Sequence, residues 1–388
     1  MLVLALAQLL SIAGDRVHYL ALVSLLTKSD APAASLVWLG QAMLVPALLF
    51  SPFIGPLVDR WRLVAVLVVA DAARALVVAL MPHAFGAAGV PALLALVFLG
   101  FTLNCFFLPA RSALPPRLVS PGATLLSVNA FLTLCGVAAT VFGSGFGGKI
   151  VDAIGWRGAL YLDAATFGLS ALLLVFLWPV TSERKPRRRL RARRYFQSVI
   201  AGLILLFRSA AARRAMLASI GLWVGGGFLF VAGALHAQDA PGRVGSLGVL
   251  IALFGGGLAA SAGWAMSRRT LSPRWALGGG LLGAGVGLGL FAATHAFWIM
   301  ATAAAWTGLC VGPLLASAET ELQQAAGERR RGRVFAGRDF ASRAGFLLAI
   351  AAAGGVVHAA GPAAALALGS GVLVVMGVAS LRLRPSAP

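Results

Sequence analysis

Apolar runs of about twenty residues follow one another along the whole chain, each ended by a short polar or glycine- and proline-containing turn. A helix of that length rises about 30 Å, enough to cross the hydrocarbon of a bilayer. The pattern predicts twelve spanning helices, with boundaries at 2–27, 34–57, 63–82, 89–112, 122–148 and 158–179, then 214–237, 244–267, 275–294, 296–317, 338–358 and 362–383. A membrane barrel is not expected, because barrels are built from short segments of alternating polarity rather than continuous apolar stretches. Thr181 to Arg213 is the one sizeable polar segment, and it holds the run Glu183-Arg184-Lys185-Pro186-Arg187-Arg188-Arg189. It separates a six-span half, 1–180, from a second six-span half, 214–388, with 181–213 as the linker.

Composition sharpens this picture. Of 388 residues, 60% are hydrophobic and 11% charged, with a mean hydropathy of +0.90. Soluble domains carry about 25% charged residues to cover their surface, so the missing polar surface implies lipid as solvent. The 47 glycines suit helices packed backbone to backbone. Cys105, Cys135 and Cys310 all lie within apolar runs and imply no disulfide framework.

The net charge of +20 invites a nucleic-acid reading, but the distribution argues against it. If the amino terminus is cytoplasmic, 26 of the 32 lysines and arginines fall in inner loops or the carboxy-terminal tail and 4 in outer loops. That bias orients a membrane protein, so both termini are expected on the cytoplasmic side of the cell's inner (plasma) membrane. Met1 leads directly into Leu-Val-Leu-Ala without a basic n-region, so the first span is expected to be retained rather than cleaved.

The two halves share an outline. A tight basic turn lies between the second and third spans of each, Asp59-Arg60-Trp61-Arg62 in one and Arg268-Arg269 through Arg274 in the other. A longer basic loop, carrying Arg111 and Arg117 or Arg329 to Arg338, follows the fourth. Two parallel six-helix repeats around a midplane site are a transporter plan.

Gly55-x-x-x-Asp59-Arg60-x-Arg62 resembles the loop signature of the major facilitator superfamily. Val69-Ala70-Asp71-Ala72-Ala73-Arg74-Ala75 and Pro109-Ala110-Arg111-Ser112-Ala113-Leu114 resemble the drug:proton antiporter-3 branch, which includes macrolide and siderophore exporters. Leu162-Asp163-Ala164-Ala165-Thr166-Phe167 and Gln323 with Arg331-Gly332-Arg333-Val334 are similar to that branch as well. The resemblance implies an all-α fold of twelve helices in two pseudo-symmetric halves, with proton-coupled efflux of small amphipathic or hydrophobic molecules by alternating access. Lysophospholipid transport is the alternative within the same superfamily. A non-transporting receptor or assembly factor on the same scaffold is a second alternative.

Candidate residues follow from the cost of charge in lipid. Asp59 and Arg60, with Gly55, Arg62 and the partner Arg111, form the expected cytoplasmic gate, against the plainer reading of a charged turn that only sets topology. Asp15, mid-span in the first helix, is the leading group for proton coupling or substrate binding, because buried carboxylates can take up protons near neutral pH. The adjacent Arg16 offers the plainer reading, a permanent ion pair. Asp71 and Arg74 stand three apart on one helical face and can pair as an internal ion pair; they are also candidates for proton coupling or substrate binding, with one of them in the cavity and coupled to the gate. Asp163 has Arg157 and Lys149 as expected partners. Gln41, Asn104, Asn129 and Trp223 are candidate cavity residues. No metal-ligand spacing and no phosphate-binding GxxxxGK[ST] loop occur in the sequence, so neither a cofactor, nor direct use of ATP, nor enzymatic chemistry is expected. The expected partners are a small amphipathic molecule or a lipid, protons and the bilayer, with the protein acting as a monomer.

Overall fold

The computed structural model describes residues 1–58, 61–117, 124–178, 210–239, 243–267 and 272–383, with 200 and 204 singly. Among these residues the structure is helical, as it must be where lipid offers backbone groups no hydrogen bonds. The apolar surface faces outward: Trp298, Phe176, Leu348 and Val375 are each at least 68% exposed. The interior holds Asp71 and Asp163 with no exposed surface at all. A soluble protein would reverse this arrangement.

The helices are α1 (Leu2–Leu26), α2 (Pro32–Val58), α3 (63–87), α4 (90–113), α5 (125–154), α6 (156–175), α7 (Ala210–His236), α8 (Arg243–Ser267), α9 (Pro273–Ala292), α10 (Phe297–Gln324), α11 (333–360) and α12 (362–382). Several are continuous in hydrogen bonding with the next yet fold back on it. Gly89, Gly155 and Gly361 have φ of 67°, 73° and 86°, a left-handed backbone that glycine adopts without steric cost. After Gly89 the chain returns so that Val77 lies 3.8 Å from where a Cβ on Gly100 would stand; an unbroken helix would put the two roughly 35 Å apart. Around Gly155, Ala13 of α1 meets Gly143 of α5 while its neighbour Gly14 meets Thr166 of α6. Around Gly361, Gly227 and Phe228 of α7 meet Ala349 of α11 and Gly369 of α12. Between α10 and α11, Arg338 pairs with Glu319, which a straight helix would place about 28 Å away. Twelve helices result among the described residues.

The chain forms two compact units, Met1–Asp30 with Gln41–Ala192, and Ala31–Gly40 with Arg193–Pro388. The first turns of α2 therefore group with the second unit, where Val37 lies against Gly354. In the first unit, all six helices contribute to one core: Leu4, Ile54, Val64, Leu67, Phe107, Leu132 and Leu174. Its α5 begins with a capping box, Thr124 and Ser127 each satisfying the other's backbone N–H.

In the second unit small residues bring helices into contact. Gly308 of α10 lies against the backbone of Phe254 and Leu258 in α8, and Gly285 of α9 against Val374 of α12. The Ser370 hydroxyl donates to the Gly285 carbonyl at 2.7 Å, and the Trp306 indole to the Gly283 carbonyl at 3.0 Å. Within α7, Leu229–Gly233 forms one π-helical turn.

Candidate functional site

Three helices of the first unit each turn one polar face inward. On α1, Asp15 and His18 are three apart; on α3, Asp71 and Arg74 are three apart. On α6, Asp163, Thr166, Phe167 and Ser170 recur at the spacing that places them on one side of a helix. Close approach makes the faces meet. A methyl group on Gly14 would overlap the Thr166 hydroxyl and the Asp163 carboxylate, so only glycine lets α1 sit this near α6.

Arg74 is the hub. Its Nη2 donates to Asp15 Oδ1 at 2.8 Å, and its Nη1 lies 3.6 Å from Asp71 Oδ1. The guanidinium stacks over the Phe167 ring with 3.9 Å to the centroid, a cation–π contact. The Ser170 hydroxyl donates to Asp71 Oδ2 at 2.6 Å. A second pair lies beside this one: His18 Nδ1 is 2.7 Å from Asp163 Oδ2, and the Thr166 hydroxyl is 2.8 Å from the Asp163 carbonyl oxygen. Asp15 is the group that opens outward, with a side chain 35% exposed against 6% for Arg74.

The Asp71–Arg74 pair joins the residues that their spacing brings to one face. Asp15, in contrast, finds its hydrogen-bonded cation on α3 rather than in adjacent Arg16, whose Nε is buried without a hydrogen-bond partner. Asp163 is paired with His18 and not with Lys149 or Arg157. Lys149 points outward and is exposed, and the guanidinium of Arg157 lies 5.2 Å over the Trp156 ring. Sequence reasoning missed His18. Its only signal was its place one helical turn after Asp15.

The other candidates scatter. Asp59 and Arg60 lie outside the described residues, and Gly55 falls in the last turns of α2. Arg62 precedes α3 and stacks over Trp178 at 5.2 Å, while Arg111 is half-buried in the last turn of α4. Gln41 and Asn104 are half-buried, Asn129 is exposed near the start of α5, and Trp223 packs its edge on Phe346 at 5.6 Å. The second unit has its own ion pairs, Arg214–Glu321 at 3.4 Å and Arg338 with Glu319 and Asp339. No group of three histidine, cysteine or acidic side chains is placed to hold a metal among the described residues.

Residues 4–270 match the family model described as Major Facilitator Superfamily. The chain belongs to that superfamily. As a member it is an integral membrane transporter. It is 25% identical to the multidrug efflux pump Tap of Mycobacterium bovis, across 97% of this chain and 91% of that protein. It is 27% identical over 175 residues to the uncharacterized MFS-type transporter YfiS of Bacillus subtilis, a match spanning 44% of this chain and 40% of that one. Among solved structures, the nucleoside transporter NupG superposes with a TM-score of 0.76 at 13% identity, covering 98% of this chain and 99% of that one. A POT family transporter in complex with 5-aminolevulinic acid gives 0.72 at 9% identity, covering 97% and 94%. At such low identities these two establish the superfamily's fold and nothing finer.

Proposed function

We propose that this transporter exports amphipathic or hydrophobic small molecules from the cytoplasm, driven by proton entry through alternating access, within the drug:proton antiporter-3 branch. One observation carries the reading: two carboxylates, Asp15 and Asp71, converge on a single guanidinium inside an apolar bundle. Two acids on one base, beside the buried His18–Asp163 pair, leave the cluster an excess of negative charge that burial makes costly, and proton binding within the cluster relieves it. The full-length similarity to a multidrug efflux pump supports the direction and the breadth of substrates. In this reading 1–180 and 214–388 are the two moving halves, joined by the basic segment 181–213. Asp59, Arg60, Arg62 and Arg111 close the cytoplasmic mouth. Both termini face the cytoplasm, and one chain acts alone in the plasma membrane.

Inside-out membrane vesicles test this directly, with ethidium as the fluorescent amphipathic probe. An imposed gradient, acid inside, drives ethidium accumulation by the wild-type protein, and collapsing the gradient releases it. Asp15→Asn lowers the gradient-driven component several-fold. Undiminished transport by Asp15→Asn removes that residue from the mechanism. Wild-type transport indifferent to the gradient defeats proton coupling. Movement of a labelled lysophospholipid without ethidium transport would favour the lipid alternative.

A further inference from the structure

Resting on the reading of proton-driven transport, we infer that the coupled proton resides on the His18–Asp163 pair, with Asp15 serving as the fixed partner of Arg74. Asp15 has the shortest contact to the guanidinium and the most exposed carboxyl of the cluster, so it remains ionised at little cost. Asp71 accepts a hydrogen bond from Ser170 and lies 3.6 Å from the Arg74 guanidinium. Asp163 differs. It is fully buried, has no lysine or arginine in contact among the described residues, and meets His18, itself 8% exposed.

Charge counting points the same way. Asp15, Asp71 and Asp163 supply three negative charges, and Arg74 is the one arginine that pairs with any of them among the described residues, so the set carries an excess of negative charge. A proton on the His18–Asp163 pair, the one acid of the three without an arginine within 4 Å, lowers that excess by one, and removing it returns the charge to the apolar interior. Other elements against α1 add nothing to this balance. At its contacts with α1, α5 presents Gly143 and Gly147, and its titratable Lys149 and Asp152 are exposed. Tyr19 adjoins His18 on α1 itself.

The geometry also gives the proton a place to reside. With the extra proton, the imidazolium donates Nδ1–H to Asp163 Oδ2 and carries a second proton on Nε2, which is buried without a hydrogen-bond partner. Loss of the Nε2 proton leaves neutral histidine still donating from Nδ1, so the contact with Asp163 survives in both states. One proton is taken up or released per pair, and no bond other than N–H changes. Falling pH fills the site and rising pH empties it.

Two measurements on the full-length purified protein test this. With 15N-imidazole histidine labelling, the His18 resonance, assigned by its absence in His18→Asn, is followed from about pH 5 to about pH 8 and changes from the imidazolium to the neutral signature as pH rises. In Asp163→Asn, which removes the carboxylate facing Nδ1, that change is displaced along the pH axis. A His18 resonance constant across that range overturns the inference whatever the transport assay shows, and it needs no mutant to fold beyond the one used for assignment. In proteoliposomes at equal pH on both sides, the wild-type ethidium exchange rate differs several-fold between about pH 6 and about pH 8, and in His18→Asn and Asp163→Asn that ratio falls to near one. Gradient-driven wild-type transport together with an unchanged pH ratio in both variants overturns the inference while leaving the function standing. Absence of gradient-driven transport in the wild type defeats the function, and the His18 titration then reports on the site alone.

Discussion

Ser170 is the only hydroxyl that donates to Asp71 among the described residues, and the contact of 2.6 Å is fully buried. Removing it leaves a buried carboxylate oxygen without its hydroxyl donor. Ser170→Ala is expected to cost about 1 to 2 kcal/mol, between the value for charged acceptors in soluble proteins and the smaller one for membrane helices. A lowered thermal midpoint of the purified protein in detergent checks this, and an unchanged midpoint shows that the oxygen finds another donor. At this scale the sequence was legible only where partners share a helix. Asp71 and Arg74 are one turn apart, so spacing alone places them together. Asp15 and Arg74 lie on different helices, as do His18 and Asp163, and nothing local in the chain marks those encounters. The close approach that joins α1 to α6 depends on Gly14, whose lack of a side chain reads in sequence as one small residue among many.

The elements themselves were more legible, because the length of an apolar run is a direct record of bilayer thickness. The reversal between the third and fourth spans falls at Gly89, at the predicted start of the fourth, and the one between the fifth and sixth at Gly155. Gly361 offers a clean test of what such a reversal requires, since no atom lies within 4 Å of its missing Cβ. Gly361→Ala meets no clash, so its effect is backbone strain alone, expected at about 1 to 3 kcal/mol. Gly355→Ala, equally uncrowded but in ordinary helix, is expected to be neutral or stabilising by up to about 1 kcal/mol. Thermal unfolding of the two variants side by side separates strain from packing. The π-turn at Leu229–Gly233 had no signature in the sequence, because it records one residue more than an α-helix needs. Deleting Val231 is therefore expected to regularise α7 while keeping Gly227 against Ala349 and the His236 ring within reach of the Thr294 carbonyl, now 3.0 Å away. Deleting Ala218, in regular helix, turns everything beyond it by about 100° and is expected to abolish the folded yield.

For the whole molecule, the strongest sequence signal was the uneven distribution of basic residues, and it yields a topology that labelling can check. With Cys105, Cys135 and Cys310 replaced by serine, exposed Ala88→Cys is expected to react with a membrane-impermeant maleimide on intact cells. Exposed Ser272→Cys is expected to react only after permeabilisation. The opposite pattern would invert the orientation. The buried ions of the first unit bear on a different event, biogenesis. Asp15 leaves the ribosome on α1 long before Arg74 exists, and an isolated charge at a helix centre costs about 2.5 to 3.5 kcal/mol to insert. Arg74 arrives with α3, but Asp163, the partner of His18, and Ser170, the hydroxyl donor to Asp71, come only with α6. Nascent chains cut after α5 should thus remain substrates for membrane quality control, whereas those cut after α6 should escape it, making the sixth helix the one that licenses all the earlier ones to stay.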